Sequence, residues 1–270
     1  MKNTRFLTGL LFALFVSVVS APLAAAHEFF VIPDVVKEYK SGDTVQIDAL
    51  STHYFAVGEE LEDAAVNEVY VVKNGAKGAP LPLERNADRV WYQTNYRLTD
   101  NSPVIVVGNR KGGFYCLFTD GDYADGTRAE VTAANPGKTI ATTRYFAKYS
   151  KLYLNPDAKD TSFSTPLGYD LEIIPLDNPA KLKKGSNAKF RVLYKGQPLT
   201  NAEISATYDY YNYRTANAYA KTSKTDAKGE VSFKIDASGL WFVRISDTRP
   251  SAYPNTDEDN NAAIVIFSIK

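Results

Sequence analysis

The amino-acid sequence predicts an all-β protein built as two tandem β-sandwich units, immunoglobulin-like or transthyretin-like, behind a cleaved signal peptide. Three observations carry this. Short runs rich in aromatic and β-branched residues recur along the chain, separated by Gly, Asn, Asp and Pro. Val45, Ile47 and Ala49 alternate with Gln46 and Asp48, the period of a strand with one apolar and one wet face. Only residues 145–154, with Phe146, Tyr149, Leu152 and Tyr153 at mixed spacings, admit a helix, and a strand fits them equally well.

The first 26 residues are of another kind. Lys2 and Arg5 precede an apolar stretch, residues 6–19, interrupted only by Thr8, Gly9 and Ser17. That stretch falls short of the roughly 20 residues that span a bilayer. Pro22 ends it, and Ala24 and Ala26 meet the small-residue requirement of a signal peptidase. Cleavage after Ala26 makes His27 the first residue of the mature chain. A cut after Ala21, preceded by Val19 and Ser20, is the alternative. No cysteine lies near either site, which argues against a lipid anchor. Export is expected, to the periplasm where there are two membranes.

The roughly 240 residues that remain suit two domains of the usual size. In the first, residues 27–162, strands are expected at 29–32, 44–50, 68–73, 90–96, 104–107 and 114–118. The polar, turn-rich residues 155–162 mark a boundary. In the second, residues 163–270, strands are expected at 171–175, 189–194, 202–206, 239–245 and 262–269. Asp226 and Gly229 are read as the turn of a hairpin that leads to inward-facing Val231 and Phe233. A weak internal echo, Ile32-Pro33 before Lys40-Ser41-Gly42 and Ile174-Pro175 before Lys184-Gly185-Ser186, is compatible with two sandwiches in tandem, although turn chemistry repeats in any β protein.

Charge narrows the partners. With 31 basic and 31 acidic residues the chain has no net field to favour nucleic acid or an anionic membrane. No second apolar segment is long enough for a membrane span. The single cysteine, Cys116, lies in an aromatic strand and reads as a packed, inert thiol.

Several motifs occur in a familiar order: His27-Glu28-Phe29-Phe30 directly after the leader, His53-Tyr54-Phe55 after the first alternating strand, residues 171–179, residues 196–202, and Thr225-Asp226 through Gly229 followed by Trp241. Together they resemble the DUF4198 family across essentially the whole mature chain. That family is related to the periplasmic part of NikM-type nickel-uptake components. The resemblance implies a transition-metal-handling protein, for nickel, cobalt or copper, working with an inner-membrane metal transporter. The chain departs from the family pattern in having Thr52, not Gly, before the second histidine, and it has only two histidines in all.

An N-terminal histidine offers an α-amine and a ring Nδ1 that can close a chelate on one ion. The expected site is a brace, His27 through these two nitrogens and His53 through one, in the tetragonal arrangement that suits Cu(II) or Ni(II). Glu28, Glu59 and Glu60 are the candidate carboxylates to complete it. The plain alternative leaves His27 a terminal residue and His53 a loop histidine bonded to a carbonyl. No catalytic motif is visible, so no enzyme is expected. Two rival readings remain: a copper mono-oxygenase with the same brace and an axial tyrosine such as Tyr54, and a metal-free adaptor for protein or glycan.

Three further clusters are weaker signals. Asp120, Asp122 and Asp125 suggest a calcium loop with a spacing one residue too long. Asp257-Glu258-Asp259 reads as a solvated hairpin tip. Tyr208, Tyr210, Tyr211, Tyr213 and Tyr219 form either an aromatic platform or, divided between the two faces of a strand, sheet packing.

Overall fold

The computed structural model describes residues 27–55, 57–59, 61 and 67–270. The proposed signal peptide, residues 1–26, and the candidate ligand Glu60 lie outside the described residues. Strands dominate: β1 (Glu28–Pro33), β2 (Thr44–Thr52), β3 (Asn67–Lys73), β4 (Ala76–Pro80), β5 (Glu84–Asn86), β6 (Trp91–Arg97), β7 (Val104–Phe118), β8 (Tyr123–Asp125), β9 (Ile140–Leu154), β10 (Leu171–Pro175), β11 (Asn187–Tyr194), β12 (Gln197–Pro198), β13 (Glu203–Tyr208), β14 (Lys221–Lys224), β15 (Glu230–Lys234), β16 (Gly239–Pro250) and β17 (Glu258–Ile269). A short helix, α1 (Arg128–Ala134), has a reciprocal cap between Thr127 and Glu130. Residues 145–154, open between helix and strand, lie within β9. The runs at 104–107 and 114–118 belong to one long strand, β7.

Three sheets pack in layers. The central one runs β14-β13-β16-β17-β9-β7-β3-β4, with β8 beside β7. A four-stranded sheet, β1-β2-β6-β5, covers one face, and β10-β11-β12 with β15 covers the other. Alternation along the central strands divides their side chains between two cores: Val69 and Val71 face the first outer sheet, Tyr70 and Val72 the second. Leu240 and Phe242 likewise oppose Trp241 and Val243. A sheet buried on both faces needs apolar residues at consecutive positions, which is why β3, β7, β16 and β17 read as continuous apolar runs while β2, β11 and β15 alternate.

The seam of the central sheet is the parallel pair of β17 with β9. On one side of it stand strands from residues 27–162, on the other strands from residues 163–270. The β1–β2 and β10–β11 hairpins, which carry the Ile-Pro echo, are the corresponding pieces of the two outer sheets.

Two expectations need correction. The turn at Asp226 does not close a hairpin, since β14 pairs with β13 in the central sheet while β15 pairs with β11 in an outer one. Its local chemistry is as expected, with Asp226 Oδ1 accepting from the amides of Lys228 and Glu230, both at 2.8 Å. Of residues 257–259, expected as a solvated hairpin tip, Asp257 is exposed in the turn between β16 and β17, where it pairs with Arg128 at 2.6 Å, whereas Glu258 pairs with Arg144 at 2.7 Å and Asp259 is buried. Cys116 is fully buried and packs with Phe118 and Val131.

Candidate metal centre

β1 is the edge strand of the first outer sheet and lies over β7, β9 and β17, its Val31 amide donating to Ser150 Oγ at 3.2 Å. Gly108 on β7 permits this approach, because a Cβ there would meet Val31 Cγ1 at 2.4 Å and Phe29 Cε1 at 2.9 Å. The antiparallel register with β2 pairs Glu28 with Thr52. One step further along the same register sets His27 opposite His53, and their ring centroids are 4.2 Å apart.

After His53 the chain turns and comes back. Glu59 N donates to Ser51 O at 3.2 Å, which returns the Glu59 carboxylate to the end of β2. Gly58 sits against the backbone here, where a Cβ would lie 2.5 Å from Arg89 O and 2.6 Å from Val90 O. Glu59 Oε2 lies 3.2 Å from His53 Nδ1 and 3.0 Å from Thr52 Oγ1, and accepts a short hydrogen bond from the His53 amide. Burial pushes the Glu59 carboxyl upward, but the His53 amide, the Thr52 hydroxyl and then the two imidazoles outweigh it and hold the group below its ordinary value. Ligand atoms of His27, His53 and Glu59 all lie within 4.8 Å of one another, the one such His/Cys/Asp/Glu group among the described residues.

The structure therefore brings three of the five candidate ligands together. Glu28 points the other way. Strand alternation turns it inward, where Oε1 accepts from Tyr219 Oη at 2.8 Å and forms an ion pair with Arg244, while Oε2 is buried without a partner. Tyr54, half-buried in the turn, donates its amide to Thr52 Oγ1 at 2.8 Å.

The tyrosine-rich segment proves to be neither a strand nor a platform of five rings. Tyr208 ends β13 and packs at a tilt against Trp241, with ring centroids 4.8 Å apart, whereas Tyr210 to Tyr219 belong to the connection before β14. That connection reaches the centre, since Asn217 N donates to His53 O at 2.8 Å. Tyr210 is 81% exposed on its outside. Tyr219, Arg244 and Asn217 were invisible to sequence reasoning as neighbours of the site, since each arrives from far downstream with no local motif. The aspartate cluster has its own cation: Lys138 Nζ lies 3.1 Å from Asp120 and also pairs with Asp122.

A neutral imidazole pair with a carboxylate is a donor set for a divalent transition metal, intermediate between the thiolates of soft sites and the all-oxygen cages of calcium. No helix among the described residues is long and apolar enough to cross a membrane.

A family model described as a domain of unknown function, DUF4198, matches residues 24–249. No curated protein matches the chain. Among solved structures, the D0-D1 domain of Intimin is similar at 14% identity, with 89% of this chain and 97% of that chain covered. The TM-score of that match is 0.21, too low to carry an argument.

Proposed function

This chain belongs to the DUF4198 family, and from that premise we propose that it is an exported, periplasmic transition-metal-binding protein, a nickel, cobalt or copper handling component related to NikM-type uptake proteins. The observation that supports this most directly is the juxtaposition of His27 and His53, the chain's only histidines, at the ends of paired strands. Cleavage after Ala26 would add the His27 α-amine to the imidazoles, giving an amine, two ring nitrogens and a nearby carboxylate. Such a set favours tetragonal Cu(II) or Ni(II).

The role that fits is holding and passing on an ion, outside the inner membrane and toward a transporter. The cluster stands at one end of a strand pair with His27 and His53 half-buried, unlike the closed four-ligand cages of structural zinc.

Calorimetry separates this reading from its rivals. The chain beginning at His27 should bind Cu(II) or Ni(II) more tightly, by at least about tenfold, than one carrying an extra N-terminal residue, because the extension acylates the α-amine. Equal affinities would remove the brace. No binding by either form would favour the metal-free adaptor, for which the exposed tyrosines at 210 and 211 are the surface to test.

A further inference from the structure

The three groups of the centre do not have equivalent roles. We infer that Glu59 is a positioning residue that acts through His53, accepting a hydrogen bond from His53 Nδ1–H so that Nε2 is the nitrogen offered to a metal ion; this rests on the metal-binding reading above. Two hydrogen-bond donors and the His53 ring nitrogen converge on one carboxylate oxygen. His53 Nδ1 lies 3.2 Å from Glu59 Oε2, the His53 backbone amide donates to the same atom, and Thr52 Oγ1 is 3.0 Å from it. Thr52 has one hydroxyl proton, held between Glu59 Oε2 and Tyr54 O at 2.9 Å, and its oxygen accepts from Tyr54 N at 2.8 Å. An oxygen that takes the His53 amide and a ring N–H has used the lone pairs with which it would bind an ion, which leaves Oε1 as the only Glu59 atom that could be a direct ligand.

The consequence for His53 is a fixed tautomer. An imidazole whose Nδ1–H donates to a carboxylate presents its lone pair at Nε2, and the partner sets both ring orientation and basicity. The rest of the geometry serves that contact. Thr52 is fully buried at the end of β2, and Glu59 is returned to it by its own amide on Ser51 O at 3.2 Å. The Thr52 hydroxyl is thus one of the groups that hold Glu59 in place.

The test needs both a metal-free and a metal-loaded measurement on the chain beginning at His27. In the metal-free protein, nitrogen-15 NMR of the two histidines should show His53 as the Nδ1–H tautomer, retained in Glu59→Gln, whose amide oxygen can still accept, and lost to a mixture in Glu59→Ala. With Cu(II), Glu59→Gln should stay within about threefold of the wild type, while Glu59→Ala should lose about 10- to 100-fold, the usual effect of removing a partner behind a metal-bound histidine. The Cu(II) spin-resonance spectrum should keep its nitrogen couplings in all three. Equal losses in the Gln and Ala variants with a changed spectrum would make Glu59 a direct ligand, and an unchanged His53 tautomer in Glu59→Ala would overturn the inference as well. If the wild type binds no metal, the metal-binding reading fails, while the tautomer measurement still decides what Glu59 does to His53.

Discussion

His27 and His53 stand across from each other at the end of the β1–β2 ladder, with ring centroids 4.2 Å apart and planes inclined by 44°. The register that pairs Glu28 with Thr52 sets this spacing, so the two rings meet without any long-range loop closure. Replacing His53 with alanine should therefore abolish Cu(II) and Ni(II) binding to the chain beginning at His27, or weaken it by more than about 100-fold, beyond the effect of losing an outer partner. Calorimetry would show it, and an unchanged circular dichroism spectrum would confirm that the sheet has survived.

The pH response has two separate parts. Metal binding requires deprotonated nitrogen donors and releases their protons, so affinity should fall as pH is lowered. The turn from residue 51 to 59 should behave differently. Its Glu59 carboxyl is held below the ordinary value of 4.5, which means that the folded protein binds this proton more weakly than the unfolded chain. The stabilising contribution is present above that ordinary value and is lost only as pH falls through the depressed one. In metal-free protein the Glu59 amide should thus stay protected from hydrogen exchange at pH 5 and lose protection only below the ordinary carboxyl value of 4.5. Loss of protection already between pH 7 and 5 would contradict this.

The strand content and the layering were written in the apolar patterning. Consecutive apolar residues at 69–72 and 104–107 belong to a sheet covered on both faces, and the alternation at 45–49 belongs to an outer sheet. The pairing of His27 with His53 was also legible, because a hairpin register is local. Glu28 opens β1, where its carboxylate is taken up by Tyr219 and Arg244 and is not left to the histidines. Its partners, Arg244 on β16 and Tyr219 in the connection before β14, are brought in by tertiary structure that no local pattern announces. The hairpin expected at Asp226 failed for a similar reason, since turn chemistry fixes the bend but not the sheet that each arm joins.

On the opposite face of the central sheet, Lys151 and Glu172 form an ion pair at 2.8 Å, with side chains 3% and 2% exposed. Burial pulls the Lys151 pKa down, and the facing carboxylate works against that. Glu172 also accepts from the amides of Leu167 and Tyr169 at 3.0 and 2.6 Å. Lys151→Met leaves a buried carboxylate without its cation and should cost about 3–5 kcal/mol in chemical denaturation. Lys151→Met combined with Glu172→Gln should recover part of that loss, because glutamine is uncharged and its oxygen can still accept from the two amides. A double variant no more stable than the single one would show that the charge was not the source of the cost.

Gly108 ties the stability of the sheets to the position of His27. A methyl group there would press on Val31 and Phe29, both fully packed, and β1 would have to lift from β7. Gly108→Ala is expected to lower stability by about 1–3 kcal/mol, in the range for overpacking, and to weaken Cu(II) binding in parallel. Crystallography or NMR of the variant would show whether β1 has moved.

Gly58 makes the complementary case, in which the centre changes and the sheets do not. Its Cβ position lies 2.5 and 2.6 Å from the carbonyl oxygens of Arg89 and Val90, rigid backbone that cannot rotate away as a side chain would. The residue belongs to the turn after β2, outside both large cores, so an added methyl group should displace the turn and leave the strands in place. Glu59, one residue on, would then leave Thr52 and His53. Gly58→Ala should consequently lose Cu(II) affinity about as much as Glu59→Ala, by about 10- to 100-fold, while its denaturation midpoint stays close to the wild-type value. Adding Glu59→Ala to Gly58→Ala should cost little more, because both changes break the same contact and their effects should not add. Full additivity in this double-mutant cycle would mean that Gly58 shapes the centre by some route other than Glu59.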